Sequence, residues 1–286
     1  MKKVIVKRYQ LDHVFAHNKI LFNTNNHYTE EGIEQPTDYK EKLNQGSTQN
    51  WIDKFHENNY YKITLDEHDL NWMRKAFICG SMTGRFSHIY DDELEEICKK
   101  YKMPDDTNTG YFIRTDAVSL KEGMYGCGPY DSIEKIIKSM VTCKEGHSCF
   151  RFDDTSCNIY FMKWIDINPD KEFRIFVHQN DITAISAQHL YTVNNWLNIL
   201  TDSDIEKIIH KILIFFDQNI KDKMIYMTDY VMDLALVGSD DETPYFIEPN
   251  SFGKYYASGS ALFHWIYDHD ALHDHEQIEF RYVNEY

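Results

Sequence analysis

The sequence has no apolar run that approaches the roughly 18 residues needed to cross a membrane. Its first 19 residues include basic side chains but no sustained apolar segment, so we predict no signal peptide. None of the six cysteines stands in CxxC spacing. Without an export signal, the expectation is a protein with reduced thiols in a cytoplasmic setting.

Basic residues are also few, because 30 Lys and Arg stand against 46 Asp and Glu and give a formal net charge of −16. Such a surface repels nucleic acid and acidic membranes unless it contains a basic cleft. An anionic ligand must then be held by a few local cations or by a metal. Apolar residues make up 42 % of the chain and aromatic residues 15 %, which excludes a disordered protein. A length of 286 residues allows one large domain or two to three small lobes.

The chain shows no internal repeat and no low-complexity linker, and residues 24–60 are its most irregular part, with loops predicted over 23–32 and 44–50. Downstream, periodicity predicts strands, helices and hairpins in alternation. They are a strand at 110–116, a glycine-rich loop at 120–131, a helix at 132–141, a strand at 158–165, a hairpin at 171–188, a helix at 202–224, and strands at 226–237 and 243–250. This order indicates a mixed α+β, largely antiparallel fold.

Oxygen-bearing side chains stand on the last two predicted strands, in the segment "DLALVGSDDETPYFIEPNSFG". Glu248 and Asn250 are two residues apart and so project from one face, and the turn is long enough to bring Asp233 to the same side. Two carboxylates and an amide carbonyl form a hard oxygen set that suits Mg²⁺ completed by phosphate and water. The alternative is a solvated hairpin with acids at its ends.

Cations precede these strands. Lys163 ends one predicted strand, and Glu172 and Arg174 share one face of the next. Arginine can clamp a phosphate with two hydrogen bonds, and lysine can hold another as a point charge; a cross-strand salt bridge is the alternative. Farther upstream Arg114 ends a strand, and Lys121 opens the glycine-rich loop, whose amides could cradle phosphate or simply connect two elements.

Two further groups could bind a metal. The carboxy-terminal stretch "HWIYDHDALHDHEQIEF" interleaves acids with histidines, and His269 and His273 are one helical turn apart. A solvated terminal helix is the alternative. The other group is Cys143, His147, Cys149 and Cys157, whose spacing fits no familiar zinc knuckle.

The motifs "YFIRTDAVSLKEG", "FMKWIDINPDKEFRIFV", "ITAISAQ", "YVMDLALV" and "YFIEPNSFG…ALFHW", in this order, resemble the cell division cycle protein 123 family, a divergent branch of the ATP-grasp superfamily. The likeness is continuous from about residue 110 to 266 and patchy before that. It implies an α+β fold whose two lobes, with mainly antiparallel sheets, hold ATP in a cleft between them.

The resemblance also implies the nucleotide contacts. The cation on the strand before the glycine-rich loop, which meets the α- and β-phosphates, corresponds to Arg114, with Lys121 beside the loop. The Lys-Trp pair that meets adenine corresponds to Lys163 and Trp164. The arginine of the Glu-Phe-Arg motif, which reaches the terminal phosphates and would act in catalysis, corresponds to Arg174.

For the metal, the resemblance implies Mg²⁺ held by Asp233, Glu248 and Asn250. The chain departs from the family pattern at three places. Arg114 replaces a lysine, Glu248 replaces an aspartate, and the usual acid-Asn-Pro order is altered to Glu-Pro-Asn.

We therefore predict three regions: residues 1–75 for a protein partner, 76–162 as the ATP-grasp N-lobe with the glycine-rich loop, and 163–286 as the C-lobe with the metal-binding strands. The resemblance implies an ATP-dependent assembly factor for a partner such as a translation initiation factor 2 subunit. The alternative is an ATP-grasp carboxylate–amine ligase that forms an acyl phosphate. A third hypothesis is a nucleotidyl-transferring ligase that acts on RNA. It would need Lys121 as its nucleophile, and the sequence around Lys121 contains no convincing motif for that role.

Overall fold

The structure is a computed structural model, and its strands and helices are numbered here in chain order. It describes residues 2–24, 36–104, 109–150, 154–238, 243–256 and 258–285. The strands are β1 Lys3–Gln10, β2 Tyr60–Leu65, β3 Tyr111–Thr115, β4 Cys157–Lys163, β5 Glu172–His178, β6 Asp181–Ala187, β7 Tyr230–Val237, β8 Thr243–Ser251 and β9 Gln277–Asn284. The helices are α1 Leu11–Ala16, α2 Tyr39–Gln45, α3 Thr48–His56, α4 Glu67–Thr83, α5 Asp91–Lys100, α6 Ile133–Thr142, α7 Asn195–Asn198, α8 Asp202–Phe215 and α9 His269–His273.

The chain divides into two compact units. Residues 1–46 and 166–286 form one, the six-stranded unit, and residues 47–165 form the other, the three-stranded unit. The sheet order is β1-β9-β6-β5-β7-β8 in the first and β2-β4-β3 in the second. Among these pairings only those of β9 with β1 and β6 are parallel. The chain therefore begins in the six-stranded unit, passes to the three-stranded unit after Gly46 and returns at Asp166.

Local sequence signals explain most elements of the six-stranded unit. The hairpin predicted at 171–188 is β5–β6, and it turns at Gln179 and Asn180, which both have positive φ. The predicted helix at 202–224 is α8, begun by Thr201, whose side chain accepts from the Asp204 amide, and continued by a wider turn at Phe216–Ile220. Its apolar stripe is buried at Ile205, Ile209 and Ile212.

One face of the six-stranded sheet is covered by the segment that leads into β9. Phe176, Ala184 and Val231 of the sheet pack there against side chains of that segment. The covering side chains are Phe263, Trp265 and Leu272. The sheet face that carries Arg174 is thus enclosed in part by chain from residues 258–273.

The three-stranded unit is built on a capped helix and a glycine contact. Asp66 and Asp69 form a capping box that begins α4. Near the other end of α4, Gly80 lies so close to α6 that a β-carbon on it would be 2.1 Å from the carbonyl oxygen of Val141. Glycine is therefore required where the two helices cross.

We expect Gly80→Ala to lower the free energy of unfolding by about 1–3 kcal/mol, because the new methyl group must push α4 away from backbone atoms of α6. Alanine's higher helix propensity, worth about 1 kcal/mol, offsets only part of this cost. Urea denaturation followed by circular dichroism measures the change. Gly146→Ala is the matched control, since its β-carbon meets nothing within 4 Å; equal effects for the two variants would contradict the packing explanation.

The predicted loop at 44–50 was wrong, because α2 ends at Gln45 and α3 begins at Thr48. The helix α3 is held by tertiary packing that its polar composition does not reveal. Two of its own side chains, Trp51 and Ile52, are fully or almost fully buried. Most of the other predicted loop, 23–32, lies outside the described residues.

Candidate functional site

A row of charged side chains crosses three neighbouring strands of the six-stranded sheet. Arg174 on β5 lies opposite Asp233 on β7, and Asp233 lies opposite Glu248 on β8. Because facing residues of paired strands project from the same side, the three side chains are adjacent. Asn250 follows Glu248 by two residues and belongs to the same face. We call Arg174, Asp233 and Glu248 the charged row.

Arg174 and Asp233 form a bidentate ion pair. Nε of Arg174 donates to Oδ1 of Asp233 at 2.9 Å, and Nη2 donates to Oδ2 at 2.8 Å. Nη1 donates to the carbonyl oxygen of Gly259 at 2.7 Å. Asp233 is only 2 % exposed. The cross-strand salt bridge that the sequence left open is therefore present, with Asp233 as the partner of Arg174.

Two further carboxylates, those of Glu248 and Glu172, act on the ion pair of the charged row. Burial raises the pKa of Asp233, Arg174 lowers it, and the carboxylates of Glu248 and Glu172 raise it further. For Arg174, burial lowers the pKa, but Asp233, Glu248 and Glu172 outweigh burial and leave it above its ordinary value. One guanidinium thus lies among three carboxylates, and an added cation would relieve their mutual repulsion.

The donor set suits a magnesium ion. Two carboxylates and the side-chain carbonyl of Asn250 are oxygen ligands of the kind that Mg²⁺ takes alongside phosphate and water. Each oxygen of Asp233 accepts one hydrogen bond from Arg174 and retains a further lone pair. The residues fit a divalent cation while Arg174 keeps Asp233 in place.

Register extends this row across the whole sheet. In the order β1, β9, β6, β5, β7, β8 it reads Lys7, Arg281, Ser186, Arg174, Asp233, Glu248. At the other end of the row Arg281 donates to Asp268 at 2.6 and 2.8 Å and to Glu279 at 2.5 Å. Lys7 adds a second cation to this group, 2.7 Å from Glu279. Two cations, Arg281 and Lys7, thus lie beside two acids, Asp268 and Glu279, at this end of the row.

The other four predicted nucleotide contacts belong to the three-stranded unit. Arg114 on β3 is 4 % exposed, with its guanidinium 5.1 Å from the ring centre of Trp51. Lys121 is exposed in the turn after β3. Lys163 is the exposed last residue of β4, and the amide of Trp164 donates to the carbonyl oxygen of Gly110 at 3.2 Å. That these residues and the charged row serve one nucleotide remains a prediction.

The glycine-rich loop is docked on α6. Four consecutive amides donate within the three-stranded unit: Gly123 to Leu120, Met124 to the Thr142 hydroxyl, Tyr125 to the Ser139 hydroxyl and Gly126 to Gly123. A β-carbon on Gly123 would be 2.6 Å from that of Ser139. This is the pattern of a connecting loop, the alternative that the sequence left open, rather than of amides directed at a phosphate.

Other candidate groups of the three-stranded unit have structural roles. Among the described residues, one group of three has ligand atoms close enough for a metal, namely Asp66, His68 and Asp69. Nζ of Lys100 is 2.7 Å from a carboxylate oxygen of Asp66 and also of Asp69, so a cation is already there.

The cysteines of the predicted Cys/His group are buried thiols of the same unit. Cys143, Cys149 and Cys157 are buried, and burial raises the pKa of Cys143 to about 12. Such a shift favours the thiol form over the thiolate that a metal needs.

Two participants of the site were missing from the predicted set. Glu172 contributes charge to Arg174 and Asp233, and its position two residues before Arg174 was the available signal. The carbonyl oxygen of Gly259 gives no sequence signal, because a backbone acceptor can come from any residue. A side chain there would crowd Asn23, since a β-carbon on Gly259 would be 2.6 Å from its side-chain oxygen.

Fold and site together define an α+β protein with an acid-rich row on an antiparallel part of its larger sheet. The model of the D123 family matches residues 131–286, more than half of the chain. The chain belongs to the D123 family. The predicted resemblance to the cell division cycle protein 123 family is therefore confirmed, and the match includes the whole charged row.

Two solved structures share the fold. The structure of Cdc123 from Schizosaccharomyces pombe is 14 % identical, with a TM-score of 0.56, and the match covers 86 % of this chain and 97 % of that one. The C-terminally truncated Cdc123 from the same organism is 15 % identical, with a TM-score of 0.55 and coverage of 85 % and 97 %. The predicted mixed α+β fold with mainly antiparallel sheets is confirmed, and it is the fold of these Cdc123 structures.

No curated protein matches the chain significantly. In the part of the chain that the structure describes, every helix is too short or too polar to cross a membrane.

Proposed function

We propose that this protein binds Mg²⁺-ATP at the charged row. The observation that supports this most is the register that sets Arg174, Asp233 and Glu248 side by side on three strands. Asp233, Glu248 and Asn250 would hold the ion. Bound Mg²⁺ neutralises phosphate charge and orients the phosphate oxygens.

The protein's own contribution is to fix these groups before the nucleotide arrives. The ion pair and the Gly259 carbonyl together restrain all three guanidinium nitrogens of Arg174. A guanidinium held in this way beside the metal ligands is suited to contact terminal phosphates with little loss of side-chain entropy. Arg114, Lys121, Lys163 and Trp164 complete the proposed nucleotide contacts.

We further propose that the protein is an ATP-dependent assembly factor that acts in the cytoplasm on a protein partner such as a translation initiation factor 2 subunit. Membership of the D123 family supports this role. The competing function is a carboxylate–amine ligase, in which Arg174 and the metal would stabilise charge on a transferred phosphoryl group.

Binding and turnover measurements separate the two functions. For an assembly factor we expect calorimetric binding of Mg²⁺-ATP, negligible release of ADP even with carboxylates and amines present, and association with purified translation initiation factor 2 that strengthens with Mg²⁺-ATP. Release of ADP and phosphate only when a carboxylate and an amine are both added would establish the ligase instead. Absence of any nucleotide binding would contradict both.

A further inference from the structure

Four histidines of the six-stranded unit gather where the β5–β6 hairpin meets α9. We call His178, His269, His273 and His275 the histidine cluster. His178 ends β5, four residues and about 13 Å along the strand from Arg174, so the cluster is separate from the charged row. The proposed function uses none of these side chains.

Two ring nitrogens of the cluster already have the separation of metal ligands. Nδ1 of His178 lies 3.1 Å from Nε2 of His275. Two metal–nitrogen bonds of 2.0–2.1 Å at a tetrahedral angle would place their nitrogens about 3.3 Å apart. A metal bound here would replace the hydrogen atom shared by the two rings, and both rings would rotate so that their lone pairs point at it.

The far side of each ring faces a carboxylate. Asp229 lies 3.6 Å from Nε2 of His178, and Asp181 lies 3.3 Å from Nδ1 of His275. Carboxylates in these positions favour a proton on the far nitrogen and leave the lone pair on the near nitrogen for a metal. Lys2, 2.6 Å from Asp181, holds that carboxylate in place.

A third imidazole has its tautomer fixed in the same way. Nδ1 of His273 lies 2.7 Å from the carbonyl oxygen of His269, so it donates its proton there and the lone pair is on Nε2. The rings of His273 and His178 are 4.5 Å apart between centres. Because the described residues of the cluster do not bring three ligand atoms within 4.8 Å of one another, His273 must turn about its side-chain torsions to complete the set, and it gives up its hydrogen bond to the His269 carbonyl when it does so.

We propose that His178, His275 and His273 bind one transition-metal ion of the Zn²⁺ class. Imidazole ligands select Zn²⁺, Co²⁺ or Cu²⁺ over Mg²⁺, which prefers oxygen. Water would fill the remaining coordination position. The proposal does not depend on nucleotide binding at the charged row.

Titration of the full chain with Co²⁺, followed by absorption spectroscopy, tests this site. The spectrum also distinguishes it from a cysteine site, because thiolate ligands add charge-transfer bands that histidine ligands do not. We expect one Co²⁺ per chain, displaced by Zn²⁺ but not by Mg²⁺. Affinity should fall at least tenfold in His178→Ala and His275→Ala, and 10- to 100-fold in Asp181→Asn. His275 is 38 % exposed at its side chain, so His275→Ala is expected to fold even if His178→Ala does not.

His88→Ala is the matched control, since this side chain is 89 % exposed and belongs to the three-stranded unit. It should bind Co²⁺ as the wild type does. Unchanged Co²⁺ affinity in folded His275→Ala, an equal loss in His88→Ala, or displacement by Mg²⁺ would overturn the proposal. Mg²⁺-ATP affinity should be the same in all these variants.

Discussion

Replacing Asp233 with alanine is expected to lower the free energy of unfolding by about 3–5 kcal/mol, because the change leaves the buried charge of Arg174 without its bidentate partner. The remaining acids cannot take over this role in full. The carboxylate of Asp233 accepts from both Nε and Nη2, and among the described residues no other carboxylate is bonded to these two nitrogens. Urea denaturation of the wild type and the variant measures the difference.

Two controls make this result specific. Asp217→Ala removes an acid whose side chain is 66 % exposed and should change stability by no more than about 0.5 kcal/mol. The double variant Arg174→Met with Asp233→Leu removes both charges together and should recover most of the loss, since no unpaired charge then remains. If Asp233→Ala were as stable as Asp217→Ala, the ion pair would not exist as described.

The second large effect is expected for Glu248→Gln, which keeps the size of the side chain and removes its charge. We expect affinity for ATP in the presence of Mg²⁺ to fall at least tenfold, or about 1.4 kcal/mol, because a neutral amide is a weaker ligand for a hard divalent cation. Affinity for ATP in excess EDTA should not fall. Isothermal titration calorimetry under both conditions measures the two quantities.

Glu206→Gln is the matched control, an identical change at an exposed position of α8. It should bind Mg²⁺-ATP as the wild type does. Glu248→Gln is a cleaner test of metal binding than Asp233→Ala, because the loss of stability in the latter would itself reduce nucleotide binding. Full Mg²⁺ dependence in Glu248→Gln would show that Glu248 is not a metal ligand.

Short-range patterns in the sequence predicted the elements that surround the charged row. The β5–β6 hairpin, the stripe of α8 and the pair β7–β8 each depend on alternation or helical spacing within about 20 residues. The shared face of Glu248 and Asn250 follows from the same alternation. Local periodicity determines these parts of the fold, so they could be predicted from the sequence alone.

Long-range pairings were not predictable in this way. Strand β1 pairs in parallel with β9, almost the full length of the chain away, and this pairing brings the amino-terminal residues into the six-stranded unit. No local pattern in the sequence of β1 identifies β9 as the strand with which it pairs. The extended row from Lys7 to Glu248 depends on this register, so it could not be predicted from the sequence either.

At the site itself, the sequence predicted residue types better than their contacts. Arg174 was expected at a phosphate and Asp233 at a metal, and the structure bonds them to one another, because β5 and β7 are neighbours in register. Sequence order places β6 and α8 between those strands. Contacts of the glycine-rich loop were likewise not predictable, because the amides of Met124 and Tyr125 donate to the hydroxyls of Thr142 and Ser139 on α6.

A crystal structure of the protein with ATP and Mn²⁺ in place of Mg²⁺ tests the proposed site most directly, because anomalous scattering locates the metal without ambiguity. The predicted result is a manganese ion bonded to carboxylate oxygens of Asp233 and Glu248 and to phosphate oxygens, with Arg174 beside the terminal phosphate. A nucleotide and metal bound away from β5, β7 and β8, with the acids of the charged row uncoordinated, would contradict it.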